Sequence, residues 1–295
     1  MAENEHLKAR DNGMSGQQGS GLEHVVITRF NVRMASVVND KNGQRVLTAE
    51  WLDHRIELFE GFCLPSLRSQ TLRDFRWILL VDEGTPARIL ERLRSHEGPA
   101  ANLEVAPIPM IHQQSELAPH IVARLRPDTR TLVSTRLDTD DAFHENALAR
   151  IRERVRDRRE FINPRYGYVT DGYQARVTTH KYSPFATYVE PDARGSFQTV
   201  YVAKHGRIGR VAPVRQIADE PLWMRLIHDR NWVNREGVHG FGQIRSVRGF
   251  HKWVRRGVIL PLRKTLWPAE YKRSYPLAEL PAFHVSPPPG LHPAG

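Results

Sequence analysis

From residue 23 onward, short unbroken apolar runs give way to stretches in which apolar side chains return every three or four residues, and the cycle then repeats. Glu23-His-Val-Val-Ile-Thr28 is such a run, of the kind a strand buried on both faces carries. Ala49 to Leu67 comes next, with Trp51, Leu52, Ile56, Leu58, Phe59 and Phe62 at helical spacing. Phe75 to Val81 predicts a second strand, ending at the turn Asp82-Glu-Gly-Thr-Pro86 before a helix from Ala87 to Ser95. Leu103 to Pro107 predicts a third strand, His120 to Leu125 a short helix, and Thr131 to Leu137 a fourth strand. Arg150 to Arg159 alternates arginine with acids, as on a solvated helix face. Phe161 to Val202 is rich in tyrosine and β-formers broken by glycine and proline, which suits short antiparallel strands. Leu222 to His228 reads as an amphipathic helix.

This succession predicts an α/β fold with a mostly parallel sheet flanked by helices, and such sheets hold ligands at the carboxyl ends of their strands. Asp82 stands at one such end, and Asp138, Asp140 and Asp141 crowd another. Carboxylates that close raise one another's pKa unless a cation or several N–H donors neutralise them. A hard divalent ion, Mg²⁺ or Mn²⁺, suits an all-oxygen set of this kind, and such ions commonly bind substrate phosphates as well. The competing reading is a solvated loop in which Asp138 or Asp141 caps a helix starting near Ala142. Neither G-x-G-x-x-G after the first strand nor G-x-x-x-x-G-K-[ST] occurs, which argues against a dinucleotide enzyme and a P-loop NTPase.

At 295 residues with 40% hydrophobic side chains, the chain can bury a substantial core. Its single cysteine, Cys63, rules out an intrachain disulfide and fits a reducing cytoplasm, and its apolar neighbours make it a buried small hydrophobe rather than a nucleophile. Residues 1–21 are polar and glycine-rich and read as a disordered tail. No apolar run approaches the roughly 20 residues a spanning helix needs. Lysine and arginine number 43 against 33 acids, a net charge of +10, which favours anionic partners. Residues 246–295 concentrate bases at His251 to Arg256, Arg263-Lys264 and Lys272-Arg273, interleaved with Trp253, Val258, Ile259, Leu260, Leu262, Leu266 and Trp267. Docking on a membrane surface and ordinary packing both explain that extension. Charge alone also admits a nucleic-acid-binding protein, and clustered acids admit a metal-dependent phosphotransfer enzyme or nuclease; no nucleic-acid-binding signature accompanies the charge, so no nucleic acid is expected.

Four segments in order carry a more specific signal: Ile27-Thr-Arg-Phe-Asn31, Phe62-Cys-Leu-Pro-Ser-Leu-Arg-Ser-Gln-Thr71, Phe75-Arg-Trp-Ile-Leu-Leu-Val-Asp82 and Thr135-Arg-Leu-Asp-Thr-Asp-Asp-Ala-Phe143. Together they resemble the rhamnosyltransferases, a bacterial branch of the GT-A glycosyltransferases, over roughly Val25 to Arg235. The resemblance implies a GT-A glycosyltransferase fold over residues 22–245, with a Rossmann-like nucleotide-binding half, a mixed central sheet and an acceptor-binding half. It implies an inverting, metal-dependent transfer of a sugar, with dTDP-rhamnose the donor the family label suggests, to a glycan or glycolipid hydroxyl.

Under that resemblance the nucleotide sugar falls to Thr28, Arg29, Asn31, Asp82, Arg136 and Asp138, with Glu83 in the place of the turn's usual second acid. The divalent ion (Mn²⁺ or Mg²⁺) falls to Asp138, Asp140 and Asp141, and the family's histidine ligand matches His228, with His239 as second candidate; His228 also reads as a helix C-cap. The acidic pair that supplies the general base matches Asp219 and Glu220, which otherwise serve as caps before Pro221. The tyrosines of the middle region, Tyr201 among them, read either as a sugar-facing acceptor wall or as edge-strand packing. The basic extension would bring a cytoplasmic enzyme to the anionic inner leaflet, as a peripheral contact, where a lipid-linked acceptor is presented.

Overall fold

The computed structural model of the chain describes residues 21–35, 47–98, 102–170, 175–191, 196–226 and 265–266. Four parallel neighbours form one half of it: β1 (Leu22–Arg29), β2 (Arg76–Asp82), β3 (Leu103–Ile108) and β4 (Thr131–Arg136), ordered β4-β1-β2-β3. Val25, Val26 and Ile27 are wholly buried because helices or turns cover both faces, as the unbroken apolar runs predict. The period of two is visible in the packing. Val26, Trp77, Leu79, Val81 and Val133 join one core cluster; Val25, Ile27, Ile78, Leu80 and Leu132 join another on the opposite face.

The first face is covered by α1 (Ala49–Leu58), a π turn at Phe59–Cys63, α2 (Leu64–Arg68) and α3 (Ala87–Arg94), which contribute Leu52, Ile56, Phe59, Leu67, Ile89 and Leu93 to its core. Thr48 caps α1 by accepting from the Trp51 N–H. The π turn, in which the Leu64 N–H reaches back to the Phe59 carbonyl, falls directly before Pro65, whose missing N–H interrupts the α-helical ladder. Cys63 is buried there, and burial pushes its thiol well above the ordinary range, as befits a packing residue. The second face receives α4 (Leu117–Val122) and the 3₁₀ turns Val200–Val202 and His205–Arg210.

Beyond β4 the sheet turns antiparallel: β8 (Thr187–Pro191) pairs with β4 and with β6 (Glu160–Thr170), and β6 pairs with β7 (Ala175–Thr179), as the tyrosine-rich stretch predicts. The mixed central sheet that the GT-A resemblance implied is therefore present. Thr265–Leu266, from the C-terminal extension, adds a two-residue strand β10 against β7.

Two expectations are corrected. Leu222 to Leu226 is not helical; it ends the long strand β9 (Val214–Leu226), parallel to β6 and antiparallel to the short β5 (Asp141–Phe143). Leu222, Trp223, Met224 and Leu226 are all buried, and a short apolar run serves a strand as well as a helix, so pairing on both sides decided the matter. Ala142 likewise lies in β5, and the helix α5 (Ala147–Arg152) starts later and ends well short of Arg159. That disposes of Asp138 or Asp141 as the cap of a helix at Ala142. Among the described residues no helix is long and apolar enough to cross a membrane.

Candidate active site

The carboxyl ends of β1, β2 and β4 converge on one rim. At the β2 end, Asp82 accepts Arg33 Nε on Oδ2 at 2.7 Å and the Gly84 N–H on Oδ1 at 2.8 Å. A Cβ on Gly84 would lie 2.9 Å from that oxygen, so a side chain there would displace the Asp82 carboxylate. Asn31, just past β1, accepts the Asp82 N–H on Oδ1 at 3.1 Å and donates to Thr85 Oγ1 at 3.0 Å, tying the ends of β1 and β2 together. Thr28 sits at the expected height, but its hydroxyl is turned into the core and accepts Trp77 Nε1 at 3.0 Å. With a period of two, that places Arg29 on the other face of the strand.

At the β4 end, Arg136 grips Asp138 through NH2 at 2.7 Å and Nε at 3.3 Å, while Arg29 NH2 lies 3.6 Å from its Oδ1. Burial works against charge on Asp138, yet the guanidiniums of Arg136, Arg29 and Arg55 outweigh it and hold the carboxyl well below its usual range. Asp140 lies 3.7 Å from Arg55, presented by α1. Asp141 is different. Burial first, then the charges of Asp140 and Asp138, push its carboxyl well above the ordinary range. It draws some relief from Arg225 and from the Leu226 backbone, but its Oδ1 is buried without a hydrogen-bond partner.

That orphaned oxygen beside two further carboxylates is the feature a hard cation suits, and the all-oxygen donor set fits Mn²⁺ or Mg²⁺. Among the described residues, no three His, Cys, Asp or Glu side chains are already gathered to hold an ion by themselves, since Asp138 and Asp140 face arginines. Further ligands would come from substrate oxygens or from residues such as His228 and His239, which lie outside the described residues.

Asp219 and Glu220 are placed elsewhere. They fall between the Ile217–Pro164 and Pro221–Tyr166 pairs, where three residues of β9 stand against one of β6. A bulge of this kind tolerates Pro221 and turns the acids outward. Asp219 Oδ2 accepts Arg154 NH2 at 2.8 Å and Glu220 Oε1 lies 2.7 Å from Arg150 Nε, both arginines belonging to α5 and its C-terminal continuation. Arg225, which pairs with Asp141, lies three β6 residues further along than Pro221, about 10 Å at the usual strand rise. The structure therefore separates the acidic pair from the triplet. The sequence reading missed Arg33, Arg55, Thr85 and Arg225, because a polar side chain carries no local mark of the distant partner it meets. Tyr201 is buried, with its ring 5.3 and 5.7 Å from the guanidinium carbons of Arg29 and Arg136, at the carboxyl-end rim of β1 and β4.

Residues 23–240, almost three-quarters of the chain, match the family described as "Putative rhamnosyl transferase". The chain belongs to that family. No curated protein matches in sequence. Among solved structures, S. aureus TarS 1-349 is similar at 13% identity and TM-score 0.40, over 69% of this chain and 60% of that one, and S. aureus TarS at 12% and 0.38, over 70% and 37%. The inositol-1-phosphate CTP transferase from T. maritima aligns at 12% identity and TM-score 0.33, over 70% of this chain and 90% of that one. The chain thus spans less than two thirds of either TarS chain, and the family assignment rests on the 23–240 match.

Proposed function

We propose that this family member is a glycosyltransferase that moves a sugar, rhamnose by its family description, from a nucleotide-diphosphate donor to a glycan or glycolipid hydroxyl. The observation that carries the reading is the rim itself: an acid-centred turn at Asp82 beside an arginine-flanked carboxylate cluster at Asp138–Asp141, both at carboxyl ends of parallel strands. In this proposal Asn31, Arg33 and Asp82 border the nucleoside, and Arg29 and Arg136 meet the negative oxygens of the diphosphate. Asp138, Asp140 and Asp141 are the residues that would hold a divalent ion, which supplies charge neutralisation at the diphosphate leaving group. Holding the donor with its anomeric carbon open to the acceptor lets a single inverting displacement proceed.

The proton of the acceptor hydroxyl falls to Asp219 or Glu220. Asp219 is exposed and Glu220 partly so, 57% and 29% accessible, which supports that duty, whereas their arginine pairs oppose it. The basic extension supports peripheral contact with an anionic cytoplasmic leaflet. Flotation with anionic and neutral vesicles tests this, and absence from both would remove the membrane part.

The first experiment is calorimetric titration of dTDP, UDP and GDP with and without Mn²⁺, on the wild type and on Asp140→Ala. Metal-dependent binding of one nucleotide, lost in the variant, is expected; no binding of any of them would overturn the glycosyltransferase reading.

A further inference from the structure

Glu190, on β8, is wholly buried, and its carboxylate accepts two consecutive backbone N–H groups, Gln198 on Oε1 and Thr199 on Oε2, each at 2.8 Å. The next amide, Val200 N–H, donates to Ser134 Oγ at 2.8 Å, on β4 two residues before Arg136. Three successive amides are thus bolted to two neighbouring strands. The turn they hold is unusual, for Thr199 has φ 63° and ψ 173°, a conformation that a β-branched residue adopts only when its surroundings over-determine it. Directly after this turn comes Tyr201, whose ring lies against both Arg29 and Arg136 and whose hydroxyl approaches the Ile27 carbonyl of β1 at 3.5 Å.

Arg29 and Arg136 come from adjacent strands and bracket Asp138, so two positive groups share one place. The aromatic face and the carboxylate between them offset that repulsion. Arg29 Nε is buried without a hydrogen-bond partner, a donor left over once Asp138 is satisfied. We propose that the Glu190-anchored turn and the Tyr201 ring are a positioning device that holds Arg29 and Arg136 together as an anion clamp for the donor's diphosphate. The clamp rests on the glycosyl-transfer reading and deepens it. Glu190 touches no substrate; it acts through the turn.

The test titrates dTDP, UDP, GDP and inorganic pyrophosphate against the full-chain protein, alongside Glu190→Gln, Tyr201→Met and Tyr201→Phe, with melting recorded for each. Tyr201→Phe keeps the ring and is expected to bind within about twofold of wild type. Tyr201→Met keeps a long apolar side chain and loses the aromatic face, and is expected to weaken the nucleoside diphosphate and pyrophosphate alike by about tenfold, with cooperative melting retained. Glu190→Gln is expected to move in the same direction. Pyrophosphate carries no base, so parallel losses place the effect on the phosphates. If wild type binds a nucleoside diphosphate but Tyr201→Met binds both probes as tightly, the clamp is overturned and the glycosyltransferase reading stands. Equal weakening in Tyr201→Phe also overturns it, because the ring would then not be the element. Failure of wild type to bind any probe removes the underlying reading instead.

Discussion

On the rim of the parallel half, Asp82, Asp140 and Asp138 have side chains only 5%, 13% and 25% accessible; Arg33, Arg55 and Arg29 reach them from distant parts of the chain, and Asp138 also meets its near neighbour Arg136. On the antiparallel half, Asp219 and Glu220 are 57% and 29% accessible and meet two arginines a single turn apart. The same functional groups serve different ends. Withdrawing a carboxylate from water is costly enough that its partner must be delivered by tertiary structure, whereas an exposed pair forms cheaply and contributes little. Stability is divided just as unevenly. The antiparallel half is locked by aromatic packing, with Trp223 stacked on Phe185 at 4.5 Å and donating to the Pro164 carbonyl, rather than by its acids.

The strongest way to break this contrast is Asp138→Ala. It leaves the mostly buried Arg136 and Arg29 without their shared anion, and we expect a loss of about 3 kcal/mol in denaturant melts, together with at least roughly 100-fold weaker binding of a nucleoside diphosphate. A variant that melts and binds like wild type would erase the distinction between the two sets of acids.

Gly167→Ala probes the other half. A Cβ there would stand 2.0 Å from Trp223 Cδ2, so the ring or strand must shift, and we expect a loss of about 3 kcal/mol, read by urea unfolding. Such a loss would show that packing rather than charge holds β6 to β9.

An effect that is small near neutrality and grows only in acid comes from His24, buried on β1 with Nε2 2.8 Å from Thr135 Oγ1, whose pKa burial lowers to about 3. The unfolded imidazole takes a proton near pH 6.5 and the folded one does not, so this contribution is complete above pH 6.5 and is lost as pH falls toward 3, by up to about 1.4 kcal/mol per unit. His180, lowered to about 4 chiefly by burial, acts in the same direction. His24→Gln should flatten the acid limb of a pH–stability curve; an unchanged slope would contradict the buried neutral ring.

The smallest change in stability belongs to Asp219→Asn and Glu220→Gln, which should cost below about 1 kcal/mol each. Their kinetics sharpen the comparison further. If one of them is the base, that variant alone loses about 100-fold or more in kcat with donor KM retained.

Much of the architecture was legible because local pattern sufficed for it. The apolar runs of β1, β2 and β4 need cover on both faces, and the turn from Asp82 to Pro86 can only end a strand and start a helix. Leu222 to Leu226 defeated the same logic, since its composition served either period. The partners that chose the strand, Phe143 of β5 and Gly167 of β6 on either side of Trp223, lie far back in the chain. Of the site, the acids announced themselves by crowding and position, while the turned-in hydroxyl of Thr28 and the outward bulge of Asp219 and Glu220 left no local sign.

Sequence by itself thus determined the parallel scaffold, the rim on which its acids lie and the family, because hydrophobic period and ordered motifs are local properties. Which arginine neutralises which carboxylate, and that Tyr201 lies beneath Arg29 and Arg136, was decided only when strands and helices distant in the chain packed together. Desolvation sets that choice. A charge on an open chain is satisfied by water, and it acquires a required partner only once folding has taken the water away.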